Sequence, residues 1–348
     1  MSISPMLNTQ RSLQLLRQCP AYAPTPLTET FTKDGISLLI KDETNRFNLG
    51  AFKALGGIYA IIAILQDRWR QENDSALNPI NLFAGELRQW TKRFTFACAS
   101  AGNHGMAVAK GAQLVNAMSL VYLSETVPQS FAKKLEAINA KVVRAGKTYE
   151  DSMKAAREYC ETSDEGTVLL SDSSWVGYTE IPKLVMEGYT VIAEELRQSF
   201  LVSNSWPTHV FLQAGVGGLA AAMAYSIRKS WGTQPQIIVV EPSAAPCLFE
   251  SVKHEELTIV EGPASNMGRL DCKEASLLAF NLLYQLADKF VLLSDSEAED
   301  AVSFLAANGI ITTPSGAAGM AAVLNAQSLE INLPEEASCL IIATEGPV

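Results

Sequence analysis

Short apolar runs alternate with helical stretches along most of this chain, and that alternation constrains the fold more than any single residue does. Residues 94–99 read as a strand, followed by a helix over about 105–115. Residues 119–123 read as the next strand, followed by a helix over about 128–140, and 141–144 and 167–170 complete this set of strands. A second series starts at 209–213, passes through a helix over 219–229 and returns as a strand over 237–240. Strand–helix–strand repetition implies mostly parallel sheets flanked on both faces by helices. At 348 residues the chain exceeds the usual reach of one hydrophobic core, so an α/β fold of two lobes with a cleft between them is expected. The smaller lobe is placed at 90–188 and the larger at 1–89 with 189–348. The polar stretch 71–87, with its Asn, Asp, Pro and Gly, reads as a surface loop or insertion.

Composition narrows the partners. Hydrophobic content of 48% with 18% charged residues describes a core-forming protein. A formal charge of −10 argues against nucleic acid or an anionic membrane surface as the main partner, while leaving room for a small anion held by backbone amides. The opening residues carry Arg11 and Arg17 and no continuous apolar block, so no signal peptide is expected. The longest apolar run, 58–65, is too short to span a bilayer. The scattered cysteines show no C-x-x-C pair and read as reduced thiols of a cytoplasmic protein. The histidines have no zinc-ligand spacing, and no metal is expected.

Lys53 stands out within this frame. It follows Gly50, Ala51 and Phe52, and Gly56 and Gly57 come just after it, where a turn-like stretch gives way to an apolar helix. A lysine there sits in the first helical turn, beside the positive end of the dipole. Dipole and desolvation both disfavour ammonium, so the neutral amine that a Schiff base requires is expected. Most lysines are solvated surface charges, so the setting carries the argument.

Other segments suggest what this amine would serve. Ser100, Ala101, Gly102, Asn103 and His104 lie between a strand and a helix, at the carboxyl edge where α/β sheets bind ligands. Gly102 permits unusual dihedrals, successive amides could cradle a carboxylate, and Asn103 could bond a phenolic oxygen. An ordinary βα turn is the plain alternative. Gly215, Val216, Gly217, Gly218 and Leu219 follow a strand and open an Ala-rich helix whose N-terminus attracts phosphate. Gly215, Gly217 and Ala220 also fit a dinucleotide fingerprint, with Glu241 at about the right distance, so a nicotinamide-dependent dehydrogenase is a rival reading. Against it, that reading leaves Lys53 and Asn103 unexplained. Asp172 follows an apolar strand and is either a turn-former or a general base, the latter worth roughly 10²–10⁴-fold in rate. Residues 339–343 read as a buried strand delivering the Thr344 hydroxyl. Lysine, Asn103 loop and glycine loop together suggest a pyridoxal phosphate (PLP) enzyme.

The same residues resemble the fold-type II, tryptophan-synthase-β-like PLP enzymes, and within them the diaminopropionate ammonia-lyases. The resemblance runs from about Lys41 to Gly346. It rests on Arg46, Phe47, Ala51, Phe52, Lys53, Leu55, Gly56 and Gly57; on Gly102 to Gly105; and on Asp172, Trp175, Gly177, Tyr178, Ile181 and Pro182. Met267, Leu270, Asp271 and Cys272 add to it, as do Thr344, Glu345 and Gly346.

That resemblance implies pyridoxal 5'-phosphate as cofactor, held by Lys53 as a Schiff base with Phe52 beside it. It implies Asn103 as partner of O3′, residues 215–219 as phosphate cradle and Thr344 as partner of the pyridine nitrogen. A small L-amino acid would displace Lys53 and dock its carboxylate on Ser100, Ala101, Gly102, Asn103 and His104. Either Asp172 or the released Lys53 would take the Cα proton. The β-substituent would leave, and aminoacrylate would hydrolyse to pyruvate and ammonia. The lyases resembled carry an aspartate where this chain has Ala101, which cannot move a proton, so turnover of L-substrates only is expected. The expected substrate is L-2,3-diaminopropionate. L-Serine/threonine dehydratase and β-replacement synthase are the alternatives within the family. A PLP-binding protein without turnover is the reading from another class, and retention of both Lys53 and Asp172 argues against it. A homodimer is expected.

Overall fold

The structure, a computed structural model, describes residues 6–347. Ten strands are named here in chain order: β1 (Leu27–Phe31), β2 (Ser37–Asp42), β3 (Thr95–Ala99), β4 (Met118–Leu123), β5 (Lys141–Arg144), β6 (Thr167–Leu169), β7 (His209–Gln213), β8 (Gln236–Pro242), β9 (Lys289–Leu293) and β10 (Ser338–Ala343). They form a six-stranded sheet, β1-β2-β10-β7-β8-β9, and a four-stranded sheet, β5-β4-β3-β6. All pairings are parallel except that of β1 with β2. The fold is α/β with two mostly parallel sheets flanked by helices.

Burial explains the strand sequences. Every residue of β7 is buried, as is almost all of β8 and β10, and these strands are near-continuous apolar runs covered on both faces. The antiparallel β1 lies at the sheet edge and alternates exposed with half-buried residues. Elements expected from the alternation appear within three residues of their sequence limits. The stretch 71–87 is a correction. It contains the end of the Lys53–Asn73 helix and a short helix, Pro79–Phe83, in which Asn78 caps the Ile80 amide and Pro79 starts the turn. Its polarity reflects exposure, not absence of structure.

Close helix packing brings the two sheets to one cleft. The Lys53–Asn73 helix lies against both the Asn103–Leu114 and the Glu180–Ser203 helices. A Cβ on Gly57 would stand 2.8 Å from the Ala107 Cβ, so Gly57 is needed for that approach. The start of the Lys53 helix is also zipped to the end of β10. The Glu43 amide donates to the Ala343 carbonyl at 2.9 Å, Phe52 to Thr344 at 3.1 Å and Gly346 to Gly50 at 2.9 Å. Beneath this turn a buried ionic cluster joins Lys41, Glu43, Arg46 and Glu195, with Arg46 bonding both carboxylates at 2.6–2.8 Å. Opposite charges in equal number make such a cluster tolerable away from water.

Candidate active site

Lys53 is the first residue of its helix, as its sequence setting predicts, with Phe52 as N-cap. Its ammonium donates a hydrogen bond to the Asp172 carboxylate. Asp172 arrives from just beyond β6, and both side chains are about four-fifths buried, 24% and 17% exposed. Burial is the largest single influence and works against the ammonium, but the Asp172 charge, Tyr189, the Asp172 hydrogen bond and Cys272 together outweigh it, so Lys53 titrates above its ordinary value. This runs against the easy access to a neutral amine expected from sequence. Dipole and desolvation do oppose the charge, and it is the carboxylate in contact, acting with its neighbours, that tips the balance the other way. Asp172 shows the mirror image. Burial would raise its carboxyl, while His104 and Lys53 hold it well below the usual carboxylate range.

His104 is buried, and its Nε2 donates to the Leu170 carbonyl at 2.8 Å, since a carbonyl can only accept. Its Nδ1 has no hydrogen-bond partner and faces Asp172 at 3.9 Å. Asn103 begins the same helix and donates its amide to the Glu345 carboxylate, a contact that residue type alone does not announce. Ser100 Oγ accepts from the Gly102 amide at 3.2 Å and the Gly105 amide at 3.0 Å. The oxygen braces the loop, and its O–H is left to donate. Gly102 has φ −155°, so the expected unusual dihedral is absent there. Ala101 is exposed at the rim.

On the other sheet, the glycine loop after β7 turns into the Gly218–Ser230 helix. Gly217 has φ +95°, and a Cβ there would lie 2.9 Å from both the Ala279 Cβ and the Leu248 Cδ1. No side chain caps this helix, and the amides of its first turn have no acceptor within it. Thr344, just past β10, is buried, and its hydroxyl accepts from Gln213 Nε2 at 3.3 Å. That nitrogen also reaches the Ile342 carbonyl at 2.9 Å and the Gly316 carbonyl at 3.1 Å.

These residues line one cavity of about 260 Å³. Lys53, Phe52, Asp172, residues 99–104, residues 213–219, Thr344 and Glu345 all contribute, so the structure brings together every residue expected to serve pyridoxal phosphate or its substrate. It adds Arg269 and Tyr149, which carried no local signal, and Cys272, which entered only through the resemblance. Tyr189 is a further residue that sequence reasoning missed. Its hydroxyl is buried and, among the described residues, has no hydrogen-bond partner beyond its interaction with Lys53; its ring packs edge-on to Phe52 at 4.9 Å, and the Lys53 Nζ lies 5.9 Å from the ring centre. Its position after Gly188 in a long helix reads as core.

Glu241 does not support a dinucleotide site. Its carboxylate is buried and accepts the Leu248 amide at 2.8 Å and the Phe249 amide at 2.7 Å, so it caps the Cys247–His254 helix and is closed to a ribose. The site fits pyridoxal phosphate instead. It offers a lysine amine, an uncapped glycine-lined helix start for the phosphate, a hydroxyl for the ring nitrogen and an orphaned phenol beside the amine.

Two mostly parallel sheets meeting at a lysine-bearing cleft define the class, a fold-type II α/β enzyme. Residues 19–345 match the model of the family described as pyridoxal-phosphate dependent enzyme. The chain belongs to that family. It is 32% identical to the diaminopropionate ammonia-lyase of Salmonella typhimurium over 95% of this chain and 87% of that protein. It is 27% identical to a D-serine dehydratase of Yersinia enterocolitica, over 90% of this chain and 73% of that one. The Escherichia coli diaminopropionate ammonia-lyase, solved with an aminoacrylate-PLP azomethine reaction intermediate, superposes with a TM-score of 0.82 at 29% identity. That match covers 97% of this chain and 88% of the solved one.

Proposed function

We propose that this chain is a pyridoxal-phosphate-dependent ammonia-lyase that eliminates the α-proton and β-amino group of L-2,3-diaminopropionate, yielding pyruvate and ammonia. The observation that carries the chemistry is the Lys53–Asp172 pair at the floor of the cleft. The relatives named diaminopropionate ammonia-lyase support the substrate.

Pyridoxal phosphate supplies an electron sink for the charge that develops at the substrate Cα. The protein's own groups handle position and protons. Lys53 anchors the cofactor, and Asp172 is the acceptor in place for the proton its ammonium must lose first. Once Asp172 has passed that proton on to solvent it would again be a carboxylate, and with Lys53 no longer an ammonium beside it its affinity for a proton is higher, which suits it to take the Cα proton. The amides of residues 215–219 hold the phosphate. Asn103, kept in place by Glu345, would bond O3′. Gln213 donates to the Thr344 oxygen, which leaves the Thr344 hydrogen for the ring nitrogen. Residues 100–104 receive the substrate carboxylate, with Phe52 walling the cofactor.

Ala101 at the rim offers no proton-transfer group, which supports turnover of L-substrates. The loop Ser100 to His104 also favours a second reading, an L-serine/threonine dehydratase. Pyruvate or 2-oxobutanoate release from L-2,3-diaminopropionate, L-serine, L-threonine and the D-isomers, assayed together, decides between them. Fastest turnover of L-diaminopropionate with a D-isomer rate far below it is expected. A faster rate with L-serine or L-threonine selects the dehydratase.

The lobes are proposed to divide at 1–89 with 189–348, and 90–188. Membership of β3 to β6 in one sheet supports this, and the Glu180–Ser203 helix runs through the second boundary. A homodimer is proposed, with the exposed Leu201 and Val202 as apolar surface for a second copy, to be measured by light scattering. A cytoplasmic location is proposed, to be tested by fractionation. Among the described residues no helix is long and apolar enough to cross a membrane.

A further inference from the structure

We propose that Arg269 grips the α-carboxylate of the amino-acid substrate against the 100–104 loop, as a specificity-determining residue at the cavity mouth. The inference rests on the lyase reading above, since it assumes that the carboxylate docks on this loop. Arg269 comes from the other side of the cleft, where its own amide is held by Ser315 Oγ at 3.0 Å. Its guanidinium lies close over Gly102: a Cβ at that position would sit 2.8 Å from Nη1 and 3.0 Å from Cζ. Glycine leaves room for this approach. A side chain at 102 would displace the guanidinium, the end of a long, partly exposed side chain, from the mouth.

The guanidinium is under-used where it stands. It has five N–H donors. Nη1 reaches the Ala101 carbonyl at 3.5 Å, and Nε stands 3.9 Å from the Glu345 carboxylate. Glu345 is already committed to Asn103 and, at 2.7 Å, to the Thr313 hydroxyl. A half-exposed ion pair of that length contributes little to stability. Beside it the Asn103–Leu114 helix presents its N-terminal amides, which favour an anion. A planar fork with free donors next to a positive helix end suits a carboxylate, which takes two parallel hydrogen bonds from it. The chemical class recognised is an α-amino acid as distinct from a simple amine.

The test uses the holoenzyme and two probes that cannot undergo elimination, L-alanine and ethylamine, which is alanine without its carboxylate. Binding is read as the shift of the cofactor's visible band. In R269Q the apparent Kd for L-alanine should rise about tenfold to a hundredfold, the range for loss of a charge-assisted bidentate contact, while that for ethylamine stays within about twofold. R269K should recover part of the loss. With L-diaminopropionate, KM should rise and kcat change little. Equal weakening of both probes would make Arg269 a structural residue and overturn the proposal, as would unchanged L-alanine binding in R269Q. If the wild-type protein shows no spectral response to L-alanine and no elimination from any L-amino acid, the lyase reading itself fails.

Discussion

Lys53 and Asp172, 119 positions apart, form an ion pair at the floor of the cleft, and each sets the protonation of the other. The lysine is held as an ammonium and the aspartate as a carboxylate. Chemistry at Lys53 therefore begins with a proton transfer for which the acceptor is already hydrogen-bonded.

Asp172→Asn should keep the fold and the cofactor's visible band while lowering kcat by roughly 10²–10⁴-fold, the loss expected for a general base. Lys53→Ala should abolish the band. If Asp172→Asn retains most of its turnover, the Cα proton goes to Lys53.

Glu241→Gln should alter the pH dependence of stability. Burial, partly offset by the Leu248 and Phe249 amides, pushes the Glu241 carboxyl up to about 7. The folded state then binds the proton more tightly than the unfolded chain, whose value is about 4.3. The stabilising effect of that proton is complete below pH ~4.3 and is lost as pH rises through about 7, on the order of 3 kcal/mol in all. Urea unfolding at pH 5 and pH 8 should show wild type losing stability relative to Glu241→Gln by that order.

Gly57→Ala should destabilise the protein by about 1–3 kcal/mol, the usual range for overpacking. The added methyl meets the Ala107 Cβ at 2.8 Å and the Ala107 backbone carbon at 2.9 Å. A lower urea midpoint with an unchanged m-value is the expected signature.

Arg46→Met should cost about 3–5 kcal/mol, because it leaves Glu43 and Glu195 buried with Lys41 as their remaining cation. The turn that leads to Lys53 sits on this cluster, so cofactor content should fall with stability. Thermal melting and absorbance together check this.

Tyr189→Phe separates fit to the cofactor from stability. Among the described residues the hydroxyl has no hydrogen-bond partner beyond its interaction with the Lys53 ammonium, so its removal should change apoprotein stability by no more than about 1 kcal/mol. Pyridoxal phosphate should bind about fivefold to tenfold more weakly, a loss of the size of one hydrogen bond. Equilibrium dialysis of the apoprotein measures it.

Much of the fold was legible because periodicity is local. β3, β4, β7 and β8 are apolar runs separated by helical ones, and backbone hydrogen bonding obliges such runs to pair. The 71–87 stretch was misread because its helix, Pro79–Phe83, is a single short turn set among polar residues, too brief to show a helical period. In the site, Lys53, Asn103, Asp172 and the 215–219 loop were legible because turn glycines and strand ends surround them. Arg269 and Tyr189 differ in having no such local mark: an arginine in a loop and a tyrosine in a long helix are both ordinary.

The sequence alone determined the α/β class, the lysine at a helix start, and the glycine loop at a strand end, since each depends on neighbours within a few residues. Tertiary structure alone decided how these meet. It inserts β10 between β2 and β7, which carries Thr344 and Glu345 from the last residues of the chain to the start of the Lys53 helix. It also decided the charge on Lys53. Dipole and burial argue for an amine, and the long-range placement of Asp172, with Tyr189 and Cys272 beside it, makes it an ammonium, because the attraction and hydrogen bond at contact distance together with these neighbours exceed the cost of burial.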